Sequence, residues 1–382
     1  MKALKEIITI GFGDVIGSVI SVAFWFYLAI IVLPSEYGEI HYIISLATLL
    51  STITLLGTGN TFTVYLAKNK TVSSSLLLFS IIAGLITVII SIILDNFIIG
   101  LLVFGVIIFV YGSTRDIAKR ESKKYSLNIV IQKTLSVCFA FLGLQIADVE
   151  GVIYGIAISY FFYIRYIFQD LKNHDWNICN LKNDFQEIKI NSKFIFSNYF
   201  LIISDSVTKQ SDKLLIAPIM GLTFLGNYSL ALQIISVFTI FPAVIFKFFL
   251  PNLISGNISD NLQRNTILLS FVFVFIGVVI MPIVIPIYFE NYTEIVTLIQ
   301  IMSFSIIPLT INQFYFARLM SQENGKIPLI GLVISSIIML AGMIILGTIF
   351  GDIGVAITHV GTFSFLTGYY YFSFRRLNIQ RN

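Results

Sequence analysis

Long apolar runs alternate with short polar breaks along the whole chain. Twelve runs are long enough to cross about 30 Å of hydrocarbon as helices. They lie near residues 7–33, 40–66, 74–94, 96–113, 126–147, 151–169, 192–219, 222–250, 266–289, 294–317, 328–349 and 353–374. The third and fourth are separated by little more than Asp95-Asn96, which predicts a tight helical hairpin. The longest polar connections are residues 114–125 and 170–191, and the second, with Trp176 and mixed charge, falls after the sixth run. The expected fold is an all-α polytopic membrane protein of about twelve transmembrane helices in two six-helix lobes. Residues 1–169 form the first lobe, 170–191 a cytoplasmic linker and 192–382 the second lobe.

Composition narrows the class further. Hydrophobic residues make up 57% of the 382, charged residues 12%, and the mean hydropathy is +0.91. A soluble domain of this size does not have that balance. The first apolar stretch is too long for a signal peptide and lacks a small-residue cleavage site, so it is expected to be the first span. Cys138 and Cys179 make no disulfide framework.

Charge sets the orientation. With an even number of spans both termini share one face. That face receives Lys2, Lys5, Lys68, Lys70, the Arg115–Lys124 cluster, Arg165, Lys172, Lys182, Lys189, Lys193, Lys247, Arg264, Arg318, Lys326, Arg375, Arg376 and Arg381. The opposite face receives only acids: Glu36, Glu39, Asp95, Asp148, Glu150, Glu290, Glu294 and Asp352. Such segregation makes the basic face, and both termini, cytoplasmic. The expected location is the cell membrane, crossed many times.

Inside the runs charge is scarce, and most of it sits in one of them. Asp205, Lys209, Asp212 and Lys213 are spaced i, i+4, i+7 and i+8, so a helix puts them on one face. Asn198 lies one heptad before Asp205 and joins the stripe. A charge centred in a membrane costs about 3 kcal/mol, so the stripe must face protein or water. It reads either as a substrate or ion site or as a self-neutralised brace, because Asp205 and Lys209 stand in the favoured acid-first order. The other charges within runs are Asp14 and Lys133, at similar depth from the cytoplasmic face. They either pair or line the cytoplasmic half of a cavity. His359, part-way into the last run, reads as a core histidine more readily than a proton carrier.

Enzyme signatures are missing. The chain has no P-loop, GxSxG or HExxH, and two cysteines with three scattered histidines cannot build a zinc site. The loops leave no room for an extramembrane catalytic domain. No enzymatic activity, cofactor or nucleic-acid partner is expected. Glycine-rich stretches such as residues 11–18 read as close helix packing. Asn291-Tyr292-Thr293 is a glycosylation sequon close to the outer membrane surface. Pro242, Pro282, Pro286 and Pro308 fall inside predicted spans, where proline kinks a helix.

A faint internal repeat accompanies the two halves. Residues 29–46 and 217–234 align without gaps and match Gly38 to Gly226. The first of these holds Leu33-Pro34-Ser35-Glu36-Tyr37-Gly38, an LPxxYG-like turn. The second holds Asp212, Lys213, Gly221, Gly226, Tyr228 and Ala231, at the positions of a "D-R/K, apolar run, G, then G-x-Y-x-x-A" pattern. With two sets of six spans, these motifs resemble the polysaccharide flippases of the multidrug/oligosaccharidyl-lipid/polysaccharide (MOP) exporter superfamily. At the end of the second span the chain departs from that pattern, with Tyr65-Leu66-Ala67-Lys68. The resemblance implies a MATE-like fold and the flipping of a polyprenyl-diphosphate-linked oligosaccharide or polysaccharide precursor by alternating access. The implied partners are the lipid membrane, the lipid-linked glycan and a coupling ion, sodium or proton. Lys133, Lys209 and Lys213 would meet the diphosphate, while Asp14, Asp205 and Asp212 keep the cavity near neutral. The competing reading on the same scaffold is a cation-coupled multidrug extruder.

Overall fold

The structure, a computed structural model, describes residues 2–55, 72–172, 186, 188–190, 192–254, 260–292, 295–321 and 326–381. Residues 56–66 of the second run, the Tyr65–Lys68 segment, most of the 170–191 linker and Thr293 of the sequon lie outside the described residues. Among the described residues there is no strand.

The chain begins with α1 (Lys2–Ile31), α2 (Pro34–Thr54), α3 (Val72–Ile93) and α4 (Phe97–Ala118). It continues through α5 (Ser122–Tyr160), a short 3-10 turn and α6 (Ile164–Lys172). Then come α7 (Ser192–Met220), α8 (Leu222–Ile254), α9 (Asp260–Phe275), a π-helical turn at Ile276–Ile280 and α10 (Met281–Tyr288). Last are α11 (Ile295–Met302), a second 3-10 turn, α12 (Ile306–Ser321) and α13 (Lys326–Arg381).

Two of these helices each hold a pair of predicted spans. α5 reverses at Asp148 (φ 47°, ψ −135°) and α13 at Gly351 (φ 58°, ψ −133°). The same left-handed turn thus closes the last hairpin of each half, carried once by glycine and once by aspartate. Beyond each turn a glycine lets the two arms meet backbone to backbone: Gly151 against Gly143, and Gly354 against Leu346. The short Asp95-Asn96 hairpin between α3 and α4 is present as expected, with Asp95 at positive φ.

Two prolines of the second half, Pro282 and Pro308, adjoin irregular helix. The π-helical turn lies directly before Pro282, which has no N–H to offer the Val278 carbonyl four residues back. Gln300 Nε2 donates to that carbonyl at 3.3 Å. Pro308 follows the 3-10 turn Ser303–Ser305. These bends therefore have a covalent cause and a local hydrogen-bond remedy.

The chain forms two compact units, one of residues 1–21 and 43–206, the other of 22–42 and 207–382. α1, α2 and α7 each contribute to both. In the first unit α4 packs against α3 and α5, around Leu77, Ile108, Tyr111, Tyr163 and Tyr166. Here Gly13 of α1 lies against Ser126 of α5, where a Cβ would overlap it, so the glycine-rich stretch does serve close packing. In the second unit α8 packs on α11 and α12, and α12 on α13, with Phe314, Ala317, Leu319 and Tyr370 buried.

The second unit also contains residues 29–42 of the first matched repeat segment and all of the second, and they touch. A Cβ on Gly38 would overlap the Leu222 carbonyl oxygen, and a Cβ on Gly226 would overlap the Pro34 carbonyl oxygen. The first turns of α2 and α8 therefore cross reciprocally, each glycine admitting the first residue of the other helix. The gapless alignment of 29–46 with 217–234 is the alignment that pairs these contacts.

Candidate functional site

α7 carries the predicted stripe, and its surroundings are not uniform. Asp212 is buried, 3% exposed, whereas Lys213 is half-buried and Lys209 exposed. One carboxylate oxygen of Asp212 accepts the Tyr228 hydroxyl at 2.7 Å, and the other accepts the Lys213 backbone N–H at 2.8 Å. Asp212 is thus tied to the first turns of α8 by the tyrosine of the G-x-Y pattern. Lys213 Nζ has neutral partners, the Lys209 carbonyl at 3.4 Å and Gln210 Oε1 at 3.3 Å. Among the described residues it makes no ion pair. The same unit, the second, holds two buried imidazoles, His41 of α2 and His359 of α13.

Those histidines received little weight in the sequence. His41 packs between Trp25 and Tyr37, with centroids 4.5 and 4.6 Å away, and His359 lies edge-on to Phe363 at 4.9 Å. His41 Nε2 and His359 Nδ1 have no hydrogen-bond partner among the described residues. Nothing in the spacing of His41 or His359 marks them in the sequence.

In the first unit Asp14 accepts the Tyr125 hydroxyl at 2.8 Å. Lys133 lies with its ammonium 5.9 Å from the Phe109 ring centroid, makes no ion pair among the described residues, and runs its stem along Gly17. Asp14 and Lys133 therefore both sit at the α1–α5 contact, engaged by aromatic residues. Asn198 and Asp205 are half-buried on the part of α7 that belongs to this unit. Two turns on from Asn198, α2 and α7 are linked where the Thr52 hydroxyl donates to the Ser206 hydroxyl at 3.1 Å.

A larger polar network occupies the basic end of the first unit, where the sequence suggested only loop charge. Arg115 binds Asp170 through two bonds, Nε at 2.5 Å and a terminal nitrogen at 3.1 Å, and Tyr111 donates to the same carboxylate at 2.6 Å. Asn128 bridges Asp116 at 2.6 Å and the Tyr166 hydroxyl at 2.9 Å. The Tyr166 ring is flanked by Arg115, Lys124 and Arg165 at 4.6, 4.8 and 5.0 Å. Lys124, 2.7 Å from Glu121, holds that carboxyl below the usual carboxylate range. This network ties α4, α5 and α6 together. It is a structural clasp.

No family model matches the chain, and no curated protein matches it in sequence. Solved structures do match it. A multidrug resistance MATE family transporter of the MOP superfamily, in an inward-facing conformation, has a TM-score of 0.67 at 12% identity, over 96% of this chain and 95% of that one. The lipid II flippase MurJ, in an inward closed conformation, has a TM-score of 0.72 at 16% identity, over 97% of this chain and 87% of that one. An outward-facing MATE transporter has 0.59 at 13% identity, over 98% and 94%. Likeness at such identity speaks for architecture alone: the chain has the all-helical fold seen in MATE transporters and the lipid II flippase, with eight helices among the described residues long and apolar enough to cross a membrane.

Proposed function

We propose that this protein flips a polyprenyl-diphosphate-linked oligosaccharide or polysaccharide precursor across the cytoplasmic membrane, by alternating access of two six-helix lobes. The observation that carries the reading is the ammonium of Lys213. It lies in a spanning helix with neutral partners only, while the neighbouring Asp212 is committed to Tyr228 and to a backbone N–H. A partly desolvated cation without a counter-charge favours an anionic ligand. Lys133 is in the same position, and Asp14 is taken up by Tyr125. Lys133 and Lys213 thus keep more uncompensated charge than the composition of the spans suggests, and lysine suits phosphate as a point charge.

The second reading, a cation-coupled multidrug extruder, is supported by Asp205 and by the likeness to multidrug transporters. Sodium or a proton would be its coupling ion, and the flippase reading admits the same ions. Deleting the gene separates the two readings. The flippase reading expects a lost or shortened surface glycan and accumulation of the lipid-linked precursor in the inner leaflet. Intact glycan with lost efflux of a cationic dye would assign the extruder instead. Within the site, Lys213→Ala is expected to abolish most transport at normal abundance, and Lys213→Arg to retain part of it. A brace role for the earlier stripe residues predicts otherwise: the pair Asp205→Asn with Lys209→Gln would then restore both abundance and transport lost in Lys209→Ala.

A further inference from the structure

We propose that the basic end of the first unit carries a binding site for the phosphate headgroup of an anionic membrane lipid, separate from the flipped substrate. A cavity of about 510 Å³ opens there between Glu6 and Thr9 of α1 and the turn from Arg120 to Lys124 that joins α4 to α5. Its floor is sealed where the Ser126 hydroxyl donates to the Thr9 carbonyl and Gly13 lies against Ser126. Three basic residues line the cavity, Arg120, Lys123 and Lys124.

The charge in this cavity is unevenly committed. Lys124 is held by Glu121 at 2.7 Å, by the Tyr166 ring and, at 3.9 Å, by Asp116. Arg120 and Lys123 are exposed, and their side chains make no ion pair or hydrogen bond among the described residues. Glu6 is the one lining acid that no lysine of the turn matches at salt-bridge distance. Two available cations therefore face a single carboxylate, which leaves room for a phosphate.

The neighbouring surface points to a lipid as the source of that phosphate. On the same two helices, within a turn of the cavity, Ile8 and Phe12 of α1 and Leu127 of α5 are 47%, 66% and 60% exposed. A headgroup in the cavity would lay its acyl chains along this apolar strip. Basic pockets beside spanning helices on the cytoplasmic side bind anionic headgroups in this way. None of the residues involved belongs to the substrate site above.

Native mass spectrometry of the full chain in detergent, with added phosphatidylglycerol or phosphatidylcholine, tests the site. The wild type is expected to retain phosphatidylglycerol preferentially, and Arg120→Gln with Lys123→Gln to weaken that binding about tenfold or more, since each basic residue near the surface contributes substantially. Arg375→Gln with Arg376→Gln removes the same charge from another part of the basic face and is expected to bind as the wild type does. Equal loss in both double variants, or no loss in the first, would overturn the site. Displacement of the lipid by inorganic phosphate at matched phosphate concentration would overturn the lipid assignment in favour of a free anion. Thermal unfolding of each variant, expected to match the wild type, checks that lost binding is not lost fold.

Discussion

Tyr228 determines what the acidic side of the α7 stripe does. Its hydroxyl, 2.7 Å from Asp212, turns that carboxylate away from its neighbouring lysines and into the α7–α8 contact, where both side chains are buried. Tyr228→Phe is expected to destabilise the protein by about 1–3 kcal/mol, the cost of a buried acceptor that loses its donor. Asp212→Asn in the Tyr228→Phe background should cost less than the sum of the two single changes, because the residues act as one contact. Thermal unfolding in detergent measures both, and strict additivity would refute the pairing. At this scale the sequence shows which residue types are unusual in a span. It does not show that Asp212 and Asp14 find tyrosines, because Tyr228 and Tyr125 arrive from other helices and tyrosine is common throughout this chain.

Among the elements, two predictions follow from equivalent positions in the two halves. The α2–α8 crossing rests on Gly38 and Gly226, and a side chain at either must push the same pair of helices apart. Gly38→Val and Gly226→Val are each expected to lower stability by about 1–3 kcal/mol through overpacking. The double variant should be little worse than either single one, since the first change already opens the contact. The hairpin turns of α5 and α13 make the opposite comparison. Asp148 holds a conformation that Gly351 adopts without a Cβ penalty, so Asp148→Gly should stabilise by about 1 kcal/mol and Gly351→Asp destabilise by at least as much. A loss of stability in Asp148→Gly would show that its side chain serves the turn. The glycine match at 38 and 226 was legible in the sequence. The match of 148 with 351 was not, because aspartate stands where glycine would have signalled the turn.

For the whole molecule, the separation of basic and acidic ends is the feature that labelling can check most directly. In a variant lacking Cys138 and Cys179, a cysteine at Lys119 should be closed to a membrane-impermeant reagent in intact cells and reactive after lysis. A cysteine at Asp352 should react in intact cells. The reverse pattern would invert the topology. Lys119 follows the last residue of α4 and is exposed, and Asp352 follows the turn at Gly351 and is half-buried, so the substitutions disturb little packing.

Hydropathy alone determined that this chain is a bundle of spanning helices, because the bilayer demands about twenty apolar residues per crossing and hydrogen-bonded backbone throughout. The clustering of lysine and arginine between alternate spans determined the expected orientation, and the spacing of Asp205, Lys209, Asp212 and Lys213 marked the helix with most charge to explain. Tertiary structure decided which of those charges are spent. Whether an aspartate neutralises a lysine four residues away or accepts a tyrosine from another helix depends on distances that no local pattern encodes. It likewise decided that His41 and His359 are buried, and that Gln300 supports the carbonyl Pro282 leaves unpaired. Local sequence sets each helix and its apolar face; only packing sets which polar side chains meet, because partners in this fold are separated by up to hundreds of residues.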